Sequence, residues 1–276
     1  MTRTPYPLII LGGAAGTGKD TAGDYLAARY AGAAIAQADP IKRIVAAIFG
    51  FSAYQLWGPS AARNEVDPQI RGPLPQWGVG GIVNTLLREV GLPAQHHPEA
   101  TDRLRGKILP FLDTRATQDG GLSARLVLQV FGTEWARALD PDVWVRASHT
   151  TAQRLLEGGH TYTAAGGIVA TKGARPAHLV VVKDGRFPNE VLAVKRANGV
   201  ALGLSRPGDT TSQAAVAAAG VAGHASEALD LIPAHFYDDE IVNAGTIPDL
   251  HRDLDEVVQD FFDGALKPVR AFGAKS

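Results

Sequence analysis

The residues best suited to chemistry come first in the chain: Gly13-Ala14-Ala15-Gly16-Thr17-Gly18-Lys19, followed by Asp20 and Thr21. Gly13 and Gly18 stand at the glycines of G-x-x-x-x-G-K-[ST], the spacing with which backbone N–H groups wrap nucleotide phosphates. Without a Cβ, the main chain comes close to phosphate oxygens and adopts φ > 0. Lys19 is placed to reach the terminal phosphates. Asp20 departs from the pattern, because a Ser or Thr usually contacts magnesium there. It is either a hard-oxygen ligand for Mg²⁺, directly or through water, or a first-turn carboxylate complementing the helix dipole.

Further candidates recur along the chain. The β-branched run ending His178-Leu179-Val180-Val181-Val182-Lys183-Asp184 places a carboxylate at the end of a buried strand. That is the usual second half of a phosphate-loop site, holding magnesium or its water. Arg186 follows at once, and Glu190 reads as a first-turn helix charge. Asp39, before Pro40, is a good N-cap, and with Lys42 it also falls where a strand end would face a ligand crevice. Gln129, Thr133 and Arg137 are spaced four apart on one helical face, with Glu134 three before Arg137. Such a stripe either reads a base and clamps a phosphate or is a solvent-facing surface with one ion pair. Trp144 reads more readily as core than as a stacking platform, and a lone His224 as a surface or packing residue.

These residues need elements to hold them. Leu8–Leu11 reads as a strand and Asp20–Tyr30 as a helix; Ala33–Gln37 reads as a second strand and Pro40–Phe49 as a helix. Between Tyr54 and Gly121 the prolines and glycines multiply, with helices at Ile82–Val90 and Asp102–Leu112. Residues 54–122 therefore read as an insertion that covers an acceptor, makes an oligomer contact or decorates the fold. Ser123 caps a helix expected over Ala124–Ala138, and Asp140-Pro141-Asp142 restarts one. Residues 157–177 contain a hairpin, His160–Thr171, that is either a flap or a surface ribbon. Gly199–Ser205 and Ile241–Asn243 supply the last strands, Arg206 ends the first of these, and Asp249–Phe262 forms the last helix. Five strands alternating with helices predict an α/β fold with a doubly wound parallel sheet, its crevice at the strand carboxyl ends.

Composition sets outer limits. With 276 residues, 45% hydrophobic and 20% charged, the chain suits one large α/β domain or two small ones. A net charge of −1 supplies no broad basic field for a nucleic-acid polymer or an acidic membrane. No cysteine is present, so disulfides and thiolate metal sites are excluded. The first apolar run is too short for a signal peptide or a membrane span, and a cytoplasmic location is expected.

Taken together, the motifs resemble those of the bacteriophage-type deoxynucleoside monophosphate kinase family. The matching stretches are Gly16-Thr17-Gly18-Lys19-Asp20-Thr21, Ala38-Asp39-Pro40-Ile41-Lys42, Phe131-Gly132-Thr133-Glu134-Trp135-Ala136-Arg137, Asp142-Val143-Trp144-Val145-Arg146, Asp184-Gly185-Arg186-Phe187-Pro188-Asn189-Glu190, His224-Ala225-Ser226-Glu227 and Asn243-Ala244-Gly245-Thr246. They occur in the family's order over nearly the whole chain. Two departures are a longer segment between Phe51 and Ser123, and Gly185 where the family usually has an apolar residue.

The resemblance implies a P-loop, nucleoside monophosphate kinase-like domain over residues 1–276. It implies transfer of the γ-phosphoryl of ATP to a deoxynucleoside monophosphate with Mg²⁺, in the host cytoplasm if phage-encoded, with a homodimer as a further expectation. By this resemblance Gly13 to Thr21 hold ATP, Arg206 flanks it, and Asp20 and Asp184 serve the metal. Lys19, Arg137, Arg186 and Lys42 bring the two anions together. Asp39, Gln129, Thr133, Glu134, Trp135 and Trp144 fall to the acceptor. Competing readings are a kinase of the dephospho-coenzyme A or phosphomevalonate type, a hydrolytic NTPase switch, and a nucleotide-binding module without turnover.

Overall fold

The computed structural model describes residues 5–71, 79–89, 99–207 and 232–263. They divide into two compact units, one of Met1–Gln37, Ser148–Ala164 and Ile168–Ser276, the other of Ala38–Ala147 with Ala165–Gly167.

The first unit is built on strands β1 (Leu8–Gly12) and β2 (Ala33–Ile35), with helix α1 (Lys19–Arg29) between them. The five-stranded sheet is completed later in the chain by β7 (Val180–Gly185), β8 (Val200–Ser205) and β9 (Asp239–Val242). Its order is β2-β7-β1-β8-β9, and every pairing is parallel. Parallel sheets must be covered on both faces, and their strands are accordingly apolar throughout. Strand alternation then splits the core in two. Ile9, Leu11, Val181 and Leu202 pack against α1 and α11 (Ile247–Phe262). Leu8, Ile10, Val180, Val182 and Ala201 pack against α10 (Pro188–Arg196) and Ala152 and Leu155.

This topology locates a crevice. β1 and β7 are neighbours, yet the helix after β1 lies on one face and the helix after β7 on the other. Adjacent parallel strands whose connections diverge in this way leave a cleft outside their carboxyl ends. The glycine-rich loop after β1 and the Asp184–Arg186 turn at the end of β7 both open there.

The second unit is mostly helical: α2 (Ala38–Phe49), α3 (Ala53–Trp57), α4 (Ser60–Asn64), α5 (Val79–Glu89), α6 (Glu99–Arg103), α7 (Leu109–Asp119) and α8 (Ala124–Gln129). A two-strand ribbon pairs β3 (Val66–Asp67) with β4 (Leu122–Ser123). The expected insertion at 54–122 lies inside this unit, which extends past it at both ends. Helix α9 (Val143–Glu157) spans the boundary between Ala147 and Ser148. The hairpin expected within 157–177 is β5 (His160–Thr163) with β6 (Gly167–Ala170).

Two helix readings need correction. Ser123 caps α8 as expected, its side chain accepting from the Leu126 N–H, but the α-helix does not run on to Ala138. From Val130 to Arg137 it widens into a π-helix, and Leu104–Ile108 does the same between α6 and α7. Nor is Asp39 an N-cap. Helix α2 begins one residue earlier, and Asp39 sits in its first turn with its carboxylate turned inward. Among the described residues, no helix is long and apolar enough to cross a membrane.

A polar tie fixes α1, and hence the loop before it, against α11. Asp255 accepts from the Tyr25 hydroxyl at 2.8 Å, the Tyr30 hydroxyl at 3.0 Å and Arg29 Nε at 3.2 Å. Burial and the adjacent carboxylate push the Tyr25 hydroxyl up to about 12. Removing the acceptor leaves the buried Tyr30 hydroxyl without it. Asp255→Ala should therefore lower unfolding free energy by about 2–3 kcal/mol in urea titration, and a loss below half of that would refute the tie.

Candidate functional site

The glycine-rich loop is held in a shape that other residues would strain. Gly13, Gly16 and Gly18 have φ of 127°, 84° and 100°. A Cβ on Gly13 would also lie 2.1 Å from the Leu204 carbonyl oxygen, and one on Gly18 2.6 Å from Asn243 Nδ2. Thr17 folds its hydroxyl back to donate to the Ala14 carbonyl at 2.9 Å. Asn243, just past β9, donates from Nδ2 to the Thr17 carbonyl at 2.9 Å. Gly18 takes the N-cap position of α1 and supplies no side-chain cap. The first-turn N–H groups of that helix thus have no side-chain cap from Gly18, and with the positive dipole end they suit an anion.

Lys19 lies within this loop. Its ammonium donates to the Gly13 carbonyl at 2.7 Å and also to the Ala14 carbonyl. Burial first, and the positive charge of Arg186 second, lower it from 10.5 to about 8, against the opposing pull of Asp20 and Asp184. One lysine thus senses an arginine and two carboxylates delivered by different elements.

The turn after β7 is built with equal care. The Asp184 Oδ1 accepts from the Gln37 backbone N–H at 2.7 Å, tying the ends of β7 and β2. Gly185 packs so tightly that a Cβ would come 2.9 Å from Ile10 Cγ1 and 3.1 Å from the Leu11 carbonyl oxygen. That accounts for glycine where an apolar residue was expected. The Glu190 Oε2 accepts from the backbone N–H of Arg186 at 2.7 Å and of Phe187 at 3.0 Å. Glu190 stands in the first turn of α10, as read, and is buried there, where it fixes the Arg186 turn. The Arg186 side chain is exposed, as are Asp20, Thr21 and, beyond β8, Arg206.

A ring floors the loop. Gly12 and Gly203 are cross-strand partners, and a Cβ on either would collide with Tyr237, at 2.2 Å from its hydroxyl for Gly12 and 2.9 Å from its ring for Gly203. Burial and the nearby Glu240 and Glu190 push the Tyr237 hydroxyl up to about 12, so it stays neutral.

Of the predicted residues, Gly13 to Thr21, Asp184 and Arg186 gather at the carboxyl ends of β1 and β7 in the first unit. Asp39, Lys42, Gln129, Thr133, Glu134, Trp135, Arg137 and Trp144 all belong to the second. There Asp39 accepts from Trp57 Nε1 at 2.9 Å and pairs with Lys42 Nζ at 3.6 Å, while Lys42 lies 5.8 Å from the Trp57 ring centre. Trp135 and Trp144 are core residues and not acceptor-lining ones. Their indoles donate to the Ala100 and Gly132 carbonyls, both at 3.0 Å, and they are 0% and 5% exposed. Gln129 is buried too, whereas Thr133 and Arg137 are partly accessible and Glu134 is exposed. His224 to Glu227 lie outside the described residues.

The residues that sequence reasoning did not assign to the site are Gln37, Glu190, Tyr237 and Asn243. Glu190 had a signal, because it stands four after Arg186 at a helix start. For Gln37, Tyr237 and Asn243 the partners are far away in sequence.

Among the described residues, no cluster of three or more His, Asp or Glu side chains is arranged to hold a metal. The donors at hand are Asp20 and Asp184. That set fits Mg²⁺, which is commonly bound by one or two carboxylates, waters and substrate phosphates. No protein-family model matches the chain, and no curated protein matches it.

Lys19 gives the site a pH signature. Because its folded value, about 8, lies below 10.5, the unfolded chain binds more protons between those values. Stability from this group therefore rises with pH across that window. Measured against Lys19→Met, the wild type should gain on the order of 3 kcal/mol over it. At pH 7 the variant should be no less stable than the wild type in urea titration. A less stable variant there would show that the buried charge supports the fold.

Proposed function

We propose that this chain is a P-loop kinase that transfers the γ-phosphoryl of ATP to a deoxynucleoside 5′-monophosphate. The observation that supports it best is the glycine loop itself, with Gly13, Gly16 and Gly18 at positive φ, no side-chain cap on α1, and the Lys19 ammonium donating to the Gly13 carbonyl. An anion held there would also offset the charge of Lys19 and of the exposed Arg186 at the adjoining end of β7. The glycine loop supplies N–H groups for the same anion, and a triphosphate matches both.

Phosphoryl transfer suits such a site, since it needs positioning and charge neutralisation more than covalent chemistry. Loop N–H groups and Lys19 hold the β- and γ-phosphates. Arg186, its backbone fixed by Glu190, meets charge developing on the transferred group. Asp184 and Asp20 would hold Mg²⁺, which supplies further neutralisation when bound. An acceptor phosphate is already ionised, so no strong general base is required. The ordered motifs of the resemblance favour a deoxynucleoside monophosphate as acceptor, with Arg137, Thr133 and Glu134 as its recognition residues. Arg206 flanks the nucleotide on this reading.

ADP release from Mg·ATP, coupled to an indicator reaction, should depend on adding a deoxynucleoside monophosphate. Lys19→Met and Arg186→Ala should each lower kcat/KM by about 10²–10³. Steady hydrolysis without acceptor would point to an NTPase switch, and ATP binding without turnover on any acceptor to a binding module. Turnover with only a non-nucleotide phosphate ester would reassign the acceptor. A near-normal rate for Arg186→Ala would remove that residue from the mechanism.

A further inference from the structure

We infer that Lys183 is a positioning residue of the nucleotide site, the fixed counter-ion that holds the Asp20 and Asp24 carboxylates; this rests on the nucleotide reading above. Asp20 and Asp24 stand one turn apart on α1, so like charges share a helix face, and Asp20 directly follows the lysine that would meet phosphates. Lys183 answers both. Its Nζ lies 3.4 Å from Asp20 Oδ1 and 3.0 Å from Asp24 Oδ1.

The path of its side chain is built into the helix. A Cβ on Gly23 would lie 2.5 Å from Lys183 Cγ and 2.7 Å from Cδ, so the lysine stem fills the space a larger residue would take. The Lys183 side chain is 20% exposed against 89% for Asp20 and 66% for Asp24. The ammonium is thus the anchored partner and the carboxylates come to it.

Alternation along β7 sends Lys183 toward α1 and Asp184 to the other side of the sheet. One strand end therefore supplies a cation beneath the start of α1 and a carboxylate beside the loop. Lys19, Arg186 and Lys183 then balance Asp20, Asp24 and Asp184. Without Lys183 the carboxylates outnumber the cations where a polyphosphate must approach.

The test is equilibrium binding of Mg·ATP by calorimetry, without acceptor, on the full chain. Lys183→Met should bind about fivefold more weakly at low salt, while Lys183→Arg stays within about twofold. The penalty should shrink in 0.5 M KCl, where the Debye length is only a few ångströms. It should also shrink when the same change is made in an Asp24→Asn background, which leaves the Asp20 carboxylate in place. A lysine that only packs against Gly23 would give the same penalty in both backgrounds and at both salts, which overturns the counter-ion role. Wild-type affinity in a folded Lys183→Met protein, checked by its Tm, overturns it as well. A wild type that does not bind Mg·ATP overturns the nucleotide reading itself, and this inference with it.

Discussion

Everything at this site turns on keeping one ammonium charged where charge is least welcome. Lys19 is largely withdrawn from water and faces the like charge of Arg186, and both effects favour the neutral amine. What retains the charge is a ring of oxygens: the Gly13 and Ala14 carbonyls in contact, and the Asp20 and Asp184 carboxylates nearby. Those carbonyls can face inward only because the loop adopts backbone conformations that glycine alone enters without cost. The glycines therefore serve the lysine as much as any ligand.

The surroundings of that loop are fastened by hydrogen bonds and close packing from several elements. Asn243 anchors Thr17, Tyr237 fills the notch left by Gly12 and Gly203, and Glu190 spends its carboxylate on two backbone N–H groups. Asp184 is steadied by the Gln37 amide. They come from the segments flanking β9, from the first turn of α10 and from the end of β2, so the site is a product of strand order and not of any one segment. A parallel sheet whose connections diverge between β1 and β7 brings those ends together.

This explains what was legible in the sequence. The glycine spacing, the β-branched run before Asp184 and the Ser123 cap are local signals, and each is found where local reasoning placed it. The five parallel strands followed from apolar runs separated by helices. Asp39 was misread because capping chemistry and first-turn chemistry use the same residue type. Only the indole of Trp57, 18 residues later, shows which way the carboxylate turns. Trp144 was legible as core, whereas Trp135 sat beside a stripe of polar neighbours, and periodicity cannot say that its indole would find a backbone carbonyl in a core. The division into two units was equally hidden, since nothing in composition changes at Ala38 or Ala147.

The π-helix at Val130–Arg137 had no sequence signal, and two of its carbonyls take donors from outside it. A widened turn leaves carbonyls outside the regular i to i−4 ladder, and a buried carbonyl without a donor is costly. Here the Gly132 carbonyl receives the Trp144 indole, and the Glu134 carbonyl receives Arg103 Nε at 2.9 Å. Gly132 meets nothing within 4 Å where its Cβ would stand, so the glycine is not there for want of space. Donors from α9 and α6 thus make the wide geometry affordable at the segment bearing Thr133, Glu134 and Arg137. Of the polar stripe, Gln129 is buried with Phe131 and Trp135, while Thr133 and Arg137 are partly accessible. A four-residue period could thus suggest which residues share a face but not which of them meet solvent, because that depends on what packs against the face.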